Sequence, residues 1–164
     1  MTQKEFQHPV DDRYFEDYTA GSVYEYGSVG ISESEIITFA RDYDPQSIHT
    51  SPKMAANGPF KGLIASGWQT VGLMMRLFVA HYLSSVASLA SPGVDEVRWS
   101  KPVRPGDKLW LRVSTLEIRP SRTKPDRGMV ISLLEAINQN GENVASFKAM
   151  NLIARRTPTQ AAAK

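Results

Sequence analysis

The chain has no cysteine. A disulfide scaffold, a thiolate metal site and a cysteine nucleophile are therefore excluded. Histidine is scarce: there are only His8, His49 and His81. No stretch is apolar enough to span a bilayer with ~20 residues; the most apolar one, 62–80, carries Gln69 and Arg76. The N-terminal MTQKEFQHPVDDRYF has neither an apolar core nor a small-residue cleavage site, so no secretory signal is expected. The expectation is a cytoplasmic protein without a membrane partner. G-x-G-x-x-G, Walker, H-E-x-x-H and G-x-S-x-G motifs are all missing, which leaves no nucleotide loop, no metal site and no serine elbow to build on.

What is present suits one folded domain over 1–164: 164 residues, 41% hydrophobic and 22% charged. Charge is segregated. Residues 1–60 hold 4 Lys/Arg against 10 Asp/Glu, and residues 98–127 hold 9 Lys/Arg against 3 Asp/Glu. Such a basic segment suits nucleic acid, an anionic surface or a phosphorylated small molecule, or it simply protects a sheet edge. Aromatic residues are not interleaved with it as a platform for RNA bases requires, so no nucleic-acid partner is expected.

Ser22–Ile31 is rich in β-type residues and predicts a first strand. Ser32 and Glu35 have the capping-box spacing, and Ile36, Phe39, Ala40 and Tyr43 recur at helical spacing until Asp44-Pro45 stops the helix. Residues 44–61 form a Pro- and Gly-rich loop, long enough to suggest function. Gly62–Leu83 is apolar on most faces and predicts a buried central helix. The strands Val94–Trp99, Leu109–Ile118, Met129–Asn138 and Val144–Ala154 follow, with a hairpin turn at Gln139-Asn140-Gly141. The tail TPTQAAAK reads as frayed. A five-strand antiparallel sheet and one long helix bury each other only if the sheet wraps the helix, an α+β arrangement. One such sheet leaves an apolar edge, so a homodimer or larger homo-oligomer is expected.

His8 lies in a polar segment and reads as solvated. His81 lies near a helix end, where a cation complements the dipole. His49 stands in the long loop, five residues after Asp44. A carboxylate and an imidazole converging on one water make a general acid/base couple; the plain alternative is Asp44 as a cap and His49 as an exposed loop residue. If Gly62 opens the central helix, its free N–H sits at the positive end of the dipole and suits a developing oxyanion; the plain alternative is a glycine cap. Thr70, two turns on, has a hydroxyl able to orient the pair.

Four segments together resemble the MaoC-like dehydratases, the (R)-specific enoyl-CoA hydratases of the hotdog fold. They are Phe39–His49 with its Asp-x4-His, Gly62–Trp68, Val97–Asp107 with its R-W-x-x-P-V-x-x-G-D, and Ala145–Asn151. The similarity spans roughly 15–156. The resemblance implies Asp44 and His49 as catalytic pair, Gly62 as oxyanion donor and Thr70 as supporting hydroxyl. It also implies an acyl-CoA thioester substrate, with coenzyme A entering as part of the substrate and no separate cofactor. Lys101, Arg104, Arg122, Lys124 and Arg127 are candidates for its phosphates by charge clustering. The chain departs from the family's D-x-N-P-x-H: Pro45 comes one place early, followed by Gln46 and Ser47, and Lys61 stands where a histidine often precedes the glycine. The implied activity is hydration of enoyl thioesters and the reverse dehydration. A hotdog acyl-CoA thioesterase and a non-catalytic acyl-CoA-binding subunit are the alternatives.

Overall fold

A computed structural model describes residues 6–157; the TPTQAAAK reading lies almost entirely outside them. Two short 3₁₀ turns, Val10–Asp12 and Phe15–Asp17, precede strand β1, Val23–Gly30. Helix α1, Glu33–Tyr43, is followed by two single-turn helices, α2 at Ser47–Thr50 and α3 at Pro52–Ala56. Helix α4, Gly67–His81, leads into β2 (Ser88–Trp99), β3 (Lys108–Pro120), β4 (Arg127–Asn138) and β5 (Asn143–Ala154). The five strands form one antiparallel sheet in the order β1-β3-β4-β5-β2. Helix α4 touches β1, β3, β4 and β5. This is the hotdog arrangement, a sheet curled around one helix.

Alternation along the strands builds the inner face of the sheet. Leu109, Leu111 and Val113 of β3, Val130 and Leu134 of β4, and Phe147 and Ile153 of β5 are buried against Met74, Leu77 and Phe78 of α4. The Tyr82 hydroxyl is matched inside this core, 2.7 Å from Thr115 Oγ1 and 3.0 Å from Ser132 Oγ. Arg13 closes the C-terminal end of α4, donating from Nη1 to the carbonyls of His81 (2.9 Å) and Tyr82 (2.6 Å).

Three expectations are corrected. The central helix begins at Gly67, not Gly62, because Lys61 and Gly62 take positive φ (55° and 153°) and the backbone after them is extended. There Ile64 N–H donates to Ile48 O (3.2 Å) and Ala65 N–H to Val103 O (2.8 Å). The helix is also buried on one side only, with Trp68 and Val79 exposed, because a single sheet layer covers only one side of a helix. Strand β2 starts at Ser88 rather than Val94 and lies at the sheet edge, where Pro92 costs no ladder bond on the open side. No described helix is long and apolar enough to cross a membrane.

Candidate active site

The loop after α1 places a carboxylate and an imidazole against the start of α4. Ser32 and Glu35 cap α1 reciprocally, and the helix runs until Asp44, whose φ of −153° leaves the helical region ahead of Pro45. Gln46 N–H donates to Asp44 O at 2.7 Å, and the single turn of α2 then lifts His49 back toward Asp44. Ser51 and Pro52 start α3 as cap and first helical residue.

His49 is only 5% exposed. Its Nδ1 lies 2.8 Å from Ile64 O. A carbonyl only accepts, so Nδ1 carries hydrogen, and Nε2 is left facing Asp44 Oδ2 at 3.3 Å. Both oxygens of Asp44 are also held by donors: Gln46 Nε2 donates to Oδ1 (2.7 Å) and Ser66 Oγ donates to Oδ2 (2.7 Å). The Gln46 bond foremost, then the Ser66 bond, hold the carboxyl below the usual carboxylate range, against the opposing effect of burial.

The pair lines a cavity of about 380 Å³ walled by Ile48, Ile64, Thr70, Trp99, Val103 and Val144. Gly67 lines it too, as the first residue of α4. Trp68 N–H is capped by Ser66 Oγ at 3.3 Å, whereas Gly67 N–H has no acceptor among the described residues. That amide sits at the positive end of the α4 dipole. A Cβ at Gly67 would stand 2.5 Å from Trp99 Nε1, so glycine lets that indole lie directly against the helix start.

The expected site residues fare differently. Asp44 and His49 come together. Gly62 does not serve as the helix-opening amide: its N–H donates to Ala55 O at 3.1 Å, five residues before α4 begins, and the place passes to Gly67. Ser66, not Lys61, therefore precedes the helix-opening glycine. Thr70 is buried in the cavity wall, but its hydroxyl turns to Ser66 O (3.4 Å), and the hydroxyl on Asp44 is that of Ser66. Ser66-Gly67-Trp68-Gln69 has the S-x-x-Q spacing of a helix start, the signal that would have located the turn.

The five basic candidates are not one cluster. Lys101 lines the cavity and pairs with Glu142. Arg104 donates to Phe60 O (2.7 Å) beside it. Arg122 and Lys124 lie in the β3–β4 turn, and Arg127 pairs with Ala154, at the opposite end of β5 from the cavity-lining Val144. The 13 residues of β3 carry the chain about 40 Å between the two groups. Among the described residues no cluster of three or more His, Cys, Asp or Glu is placed to hold a metal ion.

Comparison with known proteins gives three kinds of match. Residues 16–135 match the family described as MaoC like domain. The chain is 31% identical over 140 residues to the uncharacterised protein YdeM of Bacillus subtilis, covering 85% of this chain and 98% of that one. It is 32% identical to a 3-hydroxybutyryl-CoA dehydratase of Methylorubrum extorquens, covering 79% and 80%. The crystal structure of a MaoC-like dehydratase from Rhodospirillum rubrum superposes with a TM-score of 0.82 at 34% identity, covering 88% of this chain and 99% of that one.

Proposed function

The chain belongs to the MaoC-like domain family, and on that basis we propose that it is a hydro-lyase, hydrating an enoyl-CoA and dehydrating a 3-hydroxyacyl-CoA. The observation that carries this reading is the 3.3 Å approach of His49 Nε2 to Asp44 Oδ2 in the wall of a cavity that also holds the open amide of Gly67. The thioester carbonyl lies on the Gly67 N–H, where the helix dipole favours negative charge as the enolate forms. Asp44 and His49 hold the water that adds to Cβ, and a proton returns to Cα on the same face. The apolar walls take the acyl chain. Lys101 and Arg104, beside the cavity, are the basic residues placed to meet coenzyme A phosphates in the same chain. Edge strand β2, with Leu89, Val94 and Trp99 exposed, is the surface on which two copies pair.

Incubation with crotonyl-CoA tests the reading. The expected result is loss of the enoyl thioester absorbance with no free thiol. Release of thiol at the rate of substrate loss would mean thioester hydrolysis instead, and binding without turnover would mean a non-catalytic subunit.

A further inference from the structure

We propose that the cavity selects short, unsubstituted acyl chains, because its inner end is a fixed floor built from Ile64, Thr70, Val103 and Val144. The inference rests on the hydro-lyase reading and narrows its substrate: a four-carbon enoyl thioester fits, and an eight-carbon one does not.

The residues lining the cavity divide by exposure. Phe60, Trp68, Trp99 and Lys101 are open to solvent and mark its mouth, whereas Ile64, Ala65, Thr70, Val103 and Val144 are buried and mark its inner end. Coenzyme A is larger than the cavity and highly charged, so it lies at the mouth and the acyl tail points inward. The volume of about 380 Å³ then sets the length. At the ~30 Å³ share of a water molecule, that space takes about a dozen heavy atoms. A crotonyl thioester and the first atoms of its pantetheine arm fill it. An eight-carbon acyl group carries four further carbons in the same direction, and these meet the floor.

Main-chain bonds hold the floor in place. Ala65 N–H donates to Val103 O at 2.8 Å, Ser100 N–H to Val144 O at 2.9 Å and Ile64 N–H to Ile48 O at 3.2 Å. Ile64 O also receives the Nδ1 hydrogen of His49 at 2.8 Å. The inner end therefore cannot recede without dragging the loop that carries the reacting pair, and a longer chain is accommodated only by strain. The floor also offers no free polar partner. Thr70 has the one polar side chain among those five buried residues, and its hydroxyl is committed to Ser66 O at 3.4 Å. A hydroxyl or carboxyl on the tail would be buried there without a hydrogen bond, which disfavours substituted chains as well as long ones.

The test measures kcat/KM of the full chain on trans-2-enoyl-CoAs of four, six, eight and twelve carbons. The eight- and twelve-carbon substrates are expected to fall at least about 30-fold below crotonyl-CoA. Val144→Ala deepens the floor and should raise the ratio of eight-carbon to four-carbon kcat/KM by about tenfold. A merely structural loss would lower both rates and leave that ratio where it was. Should Val144→Ala fail to fold, Val103→Ala makes the same test. An eight-carbon rate less than about tenfold below crotonyl-CoA, or an unmoved ratio in a folded variant, overturns the proposal. Tryptophan fluorescence reads the floor without turnover, since Trp68 and Trp99 line the cavity. Butyryl-CoA is expected to bind at least about tenfold more tightly than octanoyl-CoA, and equal binding overturns the floor. A chain that shows this binding order but turns over no enoyl-CoA overturns the hydro-lyase reading and upholds the floor.

Discussion

Gly67→Ala probes the contact at the mouth of the helix. The added methyl would stand 2.5 Å from Trp99 Nε1, well inside ordinary van der Waals separation, so the indole has to retreat by about 1 Å or swing away. Overpacking of this kind costs about 1–3 kcal/mol. Trp99 is 47% exposed and can move, which puts the cost toward the lower end. Alanine recovers up to ~1 kcal/mol of helix propensity. The expected net loss is about 1 kcal/mol, or a fall in Tm of about 2–4 °C for a chain of this size. The amide survives the substitution, but the ring that walls the cavity moves, so hydration of crotonyl-CoA is expected to fall by about tenfold or more. Differential scanning fluorimetry and steady-state kinetics measure both effects. In a Trp99→Ala background the same substitution should be neutral or stabilising, because the obstructing ring is gone. Equal, negligible effects in both backgrounds would refute the contact.

Arg13→Ala should destabilise the fold by about 3–5 kcal/mol in urea titrations, because it strips a buried guanidinium from the carbonyls of His8, His81 and Tyr82. Arg13→Lys should recover little of this, lacking the planar fork; a loss below about 1 kcal/mol for Arg13→Ala would contradict the reading. Asp44 gives a pH-dependent prediction. Its folded carboxyl titrates below the ordinary 3.8, so its ionised form contributes stability above that value, and the contribution is lost as the pH falls through the folded midpoint. The stability difference between the unmodified chain and Asp44→Asn should therefore shrink on acidification below 3.8, and a difference independent of pH from 7 to 2 would contradict it.

Much of this architecture is legible in the residues. The alternation Leu109, Leu111, Val113 marks a strand with one buried face, and those three side chains are buried. Ser32 and Glu35 mark the start of α1 and bond as a capping box. Asp44-Pro45 marks its end. Leu63, Ile64 and Ala65 mislead, because an apolar run buried as extended chain looks the same as one buried in a helix. That merges them with α4 and shifts the helix-opening glycine from Gly67 to Gly62. The strand expected over Val94–Trp99 runs back through Pro92 to Ser88, because an edge strand with bulges tolerates proline. The basic segment misleads for another reason. Charges adjacent in sequence are separated in space when a strand as long as β3 runs between them.

The most direct measurement is turnover of crotonyl-CoA by Asp44→Asn and His49→Ala beside the unmodified chain, with melting curves recorded on the same samples. Each substitution is expected to lower hydration by at least about a hundredfold while the protein stays folded. Hydration at the unmodified rate by either folded variant would contradict it.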